Sequence, residues 1–142
     1  MRKRNENNEV TRYKAWHVAQ GFSQRSDIDY EETYSPVVDA ITLRYLISLT
    51  VCENLDMHLM DVVTAYLYGS LKNEIYMKVL EGFKILESYN SSSRELCSIK
   101  LQRSLYGLKQ SGRMLYNRLG EYLWKEGYQN NPICPCVFIK KS

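Results

Sequence analysis

Asp61 closes a run, Met57-His58-Leu59-Met60-Asp61-Val62, that is otherwise largely apolar. If the run is a strand, side chains alternate with period two. Met57, Leu59 and Asp61 then share one face, and Met60 and Val62 share the other. Burying an isolated ionised carboxylate is very costly. Any fold built around this run must therefore give Asp61 a partner, a metal ion or a place at an edge. Taken alone, the residue also reads as an ordinary strand-end or N-cap carboxylate.

The rest of the chain supplies helix and strand signals in mixed order. Tyr13 to Phe22 predicts a strand running into Gly21, and Asp27 to Pro36 is polar and irregular, ending at a proline. Ile41, Tyr45, Leu49 and Cys52 recur at helical spacing, and Leu46 and Ile47 widen the stripe, so Ile41 to Leu55 predicts a helix. Thr64 to Gly69 predicts a turn or short helix. Ile75 to Val79 predicts a strand, as do Cys97, Ile99 and Leu101 alternating with Ser98 and Lys100. Ser88 to Ser93 is a polar, serine-rich loop. Leu115, Leu119, Tyr122 and Leu123 form a helical stripe that stops at Gly127, a C-cap candidate. Val137 to Ile139 starts a last strand. The mixture predicts an α+β fold.

Composition excludes several classes. With 142 residues, 44% hydrophobic and 25% charged, the chain suits one globular domain. It has no apolar run long enough for a membrane span. The basic N-terminus has no apolar stretch behind it, so it is not a secretory signal. Cys134-Pro135-Cys136 lacks zinc-finger spacing, and Cys52, Cys97, His17 and His58 add no ligand motif. The four cysteines read as reduced thiols.

Charge is unevenly laid out. Residues 1–25 carry six Lys/Arg against two Glu, residues 26–95 five basic against twelve acidic, and residues 96–142 eight basic against two acidic. Two basic regions flanking an acidic centre fit a polyanion-binding surface around a cation site, and equally fit solvated faces. From Lys100 to Arg118 the five cations Lys100, Arg103, Lys109, Arg113 and Arg118 occur without an acid, interleaved with Tyr106 and Tyr116. That pattern suits a nucleic-acid backbone with stacked bases.

Five stretches occur in order. They are Tyr13-Lys14-Ala15-Trp16-His17-Val18-Ala19-Gln20-Gly21-Phe22, Ile28-Asp29-Tyr30-Glu31-Glu32-Thr33-Tyr34-Ser35-Pro36-Val37, Asp61-Val62-Val63-Thr64-Ala65-Tyr66-Leu67-Tyr68-Gly69, Glu74-Ile75-Tyr76-Met77 and Ser104-Leu105-Tyr106-Gly107-Leu108-Lys109-Gln110. Together they resemble the reverse transcriptase of copia-type retrotransposons over nearly the whole chain. The resemblance implies an incomplete right-hand polymerase, namely the fingers and first half of the palm. It also implies RNA-directed DNA synthesis on an RNA/DNA template-primer with deoxynucleotides and Mg²⁺ (or Mn²⁺).

The resemblance also assigns roles. Asp61 stands where the family's first metal-binding carboxylate ends a palm strand, and the backbone carbonyl of Val62 would assist it. Tyr66 matches the aromatic residue beneath the incoming sugar, where a ring excludes a 2′-hydroxyl. It also reads as a core tyrosine near a turn. Lys14 lies in the fingers strand that approaches the triphosphate. Tyr106 and Gly107 match the segment lining the nucleotide, and Lys109 the template side. Both lysines also read as solvated surface cations.

The chain departs from the family at several points. The family has Arg at Trp16, Leu at His17 and Lys at Val63. It has Ala-Pro-Arg-Ala-Trp over Ser111-Gly112-Arg113-Met114-Leu115, and Asp-Pro-Cys over Cys134-Pro135-Cys136. These changes read as drift. The family's Tyr-Val-Asp-Asp motif, with its remaining carboxylates, is absent. The expectation is a domain truncated at both ends, inactive alone and, if expressed, cytoplasmic. The alternative is a non-catalytic nucleic-acid-binding fragment or an unselected relic.

Overall fold

The computed structural model describes residues 2–13, 15–80, 82–83 and 97–141. Lys14 and the serine-rich stretch Ser88–Ser93 lie outside the described residues. Among the described residues, two α-helices and three small two-stranded antiparallel sheets make a mixed α and β arrangement. β1 (Arg2–Arg4) pairs with β2 (Val10–Tyr13), with a register shift between Lys3 and Arg4. α1 spans Ala40–Cys52. β3 (Tyr76–Lys78) pairs with β4 (Ser98–Lys100), with Met77 opposite Ile99. α2 spans Ser111–Lys125 and leads into the hairpin of β5 (Gln129–Asn130) and β6 (Phe138–Ile139).

Both helices end as their sequences require. Asp39 caps α1: its carboxylate accepts the Ile41 and Thr42 amides, each at 2.8 Å, and the Thr42 hydroxyl at 2.6 Å. The Thr42 hydroxyl bond, with the Thr42 amide next, holds the Asp39 carboxyl below its ordinary value. α2 stops in a Schellman turn. The Gly127 N–H donates to the Trp124 carbonyl at 3.0 Å and the Tyr128 N–H to the Leu123 carbonyl at 2.9 Å, with Gly127 at φ +86. The predicted cap at Gly127 is therefore the one that forms.

The packing centre is the stretch between β4 and α2. Ser104, Leu108, Gln110 and Ser111 are buried there, with Ile75. The Ser104 N–H donates to the Gly69 carbonyl at 2.9 Å, and a Cβ on Gly69 would stand 2.5 Å from the Met114 Cβ. A glycine is needed here because two elements meet backbone to side chain.

Two expected strands do not form. The predicted strand Tyr13–Phe22 is reduced to its first residue, inside β2. Residues 15–20 have no regular structure, and Gly21–Ser23 is a 3-10 turn. The Ala19 N–H donates to the Tyr106 carbonyl at 2.7 Å rather than to a ladder. Met57–Val62 also forms no strand. It lies open, with Leu59 101% exposed. A strand is defined by its partner, and no second strand runs beside this segment among the described residues.

Candidate nucleotide and nucleic-acid surface

Tyr66 lies in the short 3-10 helix Ala65–Tyr68, which is introduced by Thr64 at φ +55. A β-branched residue in the left-handed region is uncommon and costs backbone strain. The Leu67 N–H donates to the Thr64 carbonyl at 2.9 Å, which closes a tight turn that begins three residues after Asp61. The Tyr66 ring then meets Tyr106 edge to face, with centroids 4.8 Å apart, and Trp16 also meets Tyr106 edge to face, at 5.1 Å. Edge-to-face rings at such spacing attract beyond their area burial. Three stretches distant in sequence thus contribute one aromatic cluster.

Gly107 lies beside that cluster at φ +91, and a Cβ on it would stand 2.1 Å from the Ala19 carbonyl oxygen. A Cβ on Gly21 would meet the Gly107 carbonyl at 2.0 Å. The Ala19–Gly21 and Tyr106–Gly107 backbones are therefore in direct contact. Of the expected nucleotide-side residues, Tyr66, Tyr106 and Gly107 form one surface. Trp16 was singled out in the sequence only as a departure, and its place here is visible only in the fold.

Asp61 is exposed and makes no hydrogen bond or ion pair among the described residues. No group of three or more His, Cys, Asp or Glu side chains placed to hold a metal occurs among the described residues. A two-metal site needs several carboxylates. Asp61 with the Val62 carbonyl does not fit that requirement by itself.

The expected basic cluster divides. Lys109 is exposed but tied to the 24–30 segment: its amide donates to Gln24 Oε1 at 2.8 Å, its ammonium donates to the Tyr30 hydroxyl at 3.2 Å, and it sits 4.9 Å above the Tyr30 ring. Arg113 pairs with Glu32 at 2.5 Å and donates to the Tyr34 carbonyl at 3.1 Å. Gln110 adds a bond to the Asp29 carbonyl at 3.1 Å. These contacts clamp the 24–35 segment to the start of α2. Lys100 pairs with Glu74, and Arg118 with Glu121 at 3.4 Å. Arg103 is exposed and makes no ion pair among the described residues.

A second basic surface stands out only once the first strands pair. β1 and β2 place Arg2, Lys3, Arg4 and Arg12 on an exposed hairpin, with Lys3 opposite Arg12. The surplus of cations in residues 1–25 was the available signal for it.

Among the described residues no helix is long and apolar enough to cross a membrane. The family model described as reverse transcriptase (RNA-dependent DNA polymerase) matches residues 1–142. A retrovirus-related Pol polyprotein from transposon TNT 1-94 of Nicotiana tabacum is 37% identical over 132 residues, 93% of this chain and 10% of that relative. The Pol polyprotein from transposon RE1 of Arabidopsis thaliana is 35% identical over 138 residues, 97% of this chain and 9% of that relative. The Ty1-ER2 Gag-Pol polyprotein of Saccharomyces cerevisiae is 28% identical over 134 residues, 83% of this chain and 7% of that relative. The chain thus spans about a tenth of the length of these curated relatives. No solved structure matches it. Matched along its whole length, the chain belongs to the reverse transcriptase (RNA-dependent DNA polymerase) family of copia-type retrotransposons.

Proposed function

We propose that this chain is the fingers and first half of the palm of a right-hand polymerase, and that it takes part in RNA-directed DNA synthesis. The observation that carries this reading is the contact of Tyr66 with Tyr106 at 4.8 Å, beside the Ala19–Gly107 backbone junction. Motif blocks forty residues apart meet on one surface, five residues beyond Asp61.

In this reading Tyr66 lies under the incoming sugar and rejects a 2′-hydroxyl by steric contact. Tyr106 holds the Tyr66 ring in place, and Gly107 keeps the adjoining backbone open to the nucleotide. Lys14 serves the triphosphate. Asp61 and the Val62 carbonyl are this chain's share of the ligands for divalent metal, Mg²⁺ or Mn²⁺. The metal would stabilise the attacking and leaving oxygens of phosphoryl transfer. The partners are an RNA/DNA template-primer and deoxynucleotides. Arg103 and the other cations of the 100–118 stretch serve the nucleic-acid backbone, together with the β1–β2 hairpin.

The test is primer extension on a primed RNA template with Mg²⁺ or Mn²⁺. The chain alone is expected to give none, because its described residues gather too few carboxylates. A fusion to the segment that follows the matched region in the tobacco relative is expected to extend primers, to lose extension on Asp61→Asn, and to accept ribonucleotides on Tyr66→Val. Full extension by Asp61→Asn in that fusion would overturn the assignment of Asp61.

A further inference from the structure

Away from the aromatic surface, Cys134 and Cys136 bring their sulfurs within 3.1 Å of each other. Both are free thiols and half-buried. Pro135 lies between them, in a turn closed by the Val137 N–H donating to the Cys134 carbonyl at 2.9 Å. Proline at the second position of such a turn presets its backbone angle. The turn is anchored on both sides. Asn131 Oδ1 accepts the Ile133 and Cys134 amides at 2.9 and 3.1 Å. The Pro135 carbonyl accepts the Asn130 amide side chain at 2.6 Å and the Tyr116 hydroxyl of α2 at 3.0 Å. The two sulfurs are therefore held as neighbours by groups outside the Cys-Pro-Cys tripeptide. Burial, with the Cys134 sulfur next, pushes the Cys136 thiol up from its ordinary value, which favours its protonated form.

We propose that Cys134-Pro135-Cys136 is an oxidisable dithiol that exchanges with low-molecular-weight disulfides, such as oxidised glutathione, and closes to an internal disulfide. A disulfide bond measures about 2.03–2.05 Å, so the sulfurs have about 1 Å left to close. One thiol loses its proton and attacks a sulfur of the small disulfide. A mixed disulfide forms, and the first small thiolate leaves and takes up a proton. The second cysteine then loses its proton and attacks the protein-side sulfur of the mixed disulfide, and the second small thiol departs. The two cysteines give up two electrons and two protons, and the small disulfide is reduced to two thiols. Closure fixes the turn that seats the β5–β6 hairpin on Tyr116 of α2. This chemistry is independent of the polymerase reading.

The full chain is equilibrated with graded mixtures of reduced and oxidised glutathione, acid-quenched, alkylated and digested with trypsin. Residues 126–140 form one peptide holding both cysteines. That peptide is expected to lose two hydrogens and carry neither alkyl group nor glutathione, while Cys52 and Cys97 stay alkylated or glutathione-bound. Cys134→Ser and Cys136→Ser are each expected to trap glutathione on the remaining cysteine. In urea the same closure is expected to need at least about a tenfold more oxidising glutathione ratio, about 30 mV for this two-electron couple. The proposal is overturned if the folded chain's peptide carries two alkyl groups or two glutathiones throughout. An unchanged midpoint in urea would also overturn it, by showing that the anchored turn contributes nothing.

Discussion

Gly107 and Gly82 both hold left-handed backbone angles, φ +91 and +80, in opposite surroundings. A side chain at Gly107 would collide with the Ala19 carbonyl, whereas one at Gly82 would meet nothing within 4 Å. Gly82→Ala is expected to cost the conformational strain alone, about 1–2 kcal/mol. Gly107→Ala adds displacement of the 19–21 backbone, and its urea midpoint should fall well below that of Gly82→Ala. Equal midpoints would show that the Ala19–Gly107 junction does not hold the site together. Glu74 offers a pH-dependent test. The Lys100 ammonium, then the Tyr76 hydroxyl donating at 2.8 Å, hold its carboxyl below the ordinary 4.5. A depressed folded value means this stabilisation is fully present above about that ordinary value and is lost as pH falls through the lowered one. Lys100, raised by the same bond, contributes below its ordinary 10.5 and loses the contribution as pH rises further. All these groups are exposed, so the effect is small and salt-screened. Protection factors at Met77 and Ile99, taken relative to intrinsic exchange at each pH, should fall on acidification, and Glu74→Gln should remove that dependence. An acid response unchanged in Glu74→Gln would exclude the pair as its source.

At the level of elements, the β1–β2 hairpin is a freer basic surface than the 100–118 cluster. Its cations stand in solvent, whereas Lys109 and Arg113 hold the 24–35 segment. Binding to duplex nucleic acid should therefore be weak, independent of sequence and salt-sensitive. With about four phosphate contacts, log K should fall with a slope of about −3 to −4 against log salt. Reversing charge at Lys3 and Arg12 should weaken binding to every sequence alike and flatten the slope. Reversal at Lys109 and Arg113 should weaken binding and, unlike reversal at Lys3 and Arg12, also lower stability, because both lose partners inside the chain. Filter binding across a salt series, beside a urea titration of each variant, separates the two. If Lys3 and Arg12 variants bind as well as the parent, the hairpin is a solvated face. α1 poses the opposite problem. Apolar residues occur on all its sides, a pattern of helices enclosed by protein, yet Ile41 is 79% and Val51 75% exposed. Its cap at Asp39 secures the first turn but covers none of that surface.

The whole molecule shows the same imbalance. Its accessible surface is 12297 Å² at 16.7 kDa, where a compact monomer of that mass exposes about 7600 Å². Each large apolar side chain left in water forgoes about 1.5–3 kcal/mol, against a typical domain margin of about 5–15 kcal/mol. The isolated chain is therefore expected to aggregate or to stay partly molten. Size-exclusion chromatography should show higher species, and amides of Met57–Val62 should exchange fast. A monomeric peak with strong protection across Met57–Val62 would contradict this. Local chemistry was legible in the amino-acid order alone. The 3.6-residue period marked α2, the apolar stretch from Ile41 marked α1, Gly127 marked the end of α2, and alternation about Ile99 marked β4, because each depends on near neighbours in the chain. The motif blocks likewise named Tyr66, Tyr106 and Gly107 before their contact was visible. What the residues could not disclose was who meets whom across long separations. The same extended pattern at Met57–Val62 and at β4 yields an open segment in one case and a paired strand in the other, because a ladder needs a second backbone beside it. Lys109 and Arg113 read as nucleic-acid-binding cations, but their order in the chain could not disclose that Tyr30 and Glu32 stand beside them. A charge's role depends on its nearest opposite charge or ring in space, and only the tertiary structure decides that distance.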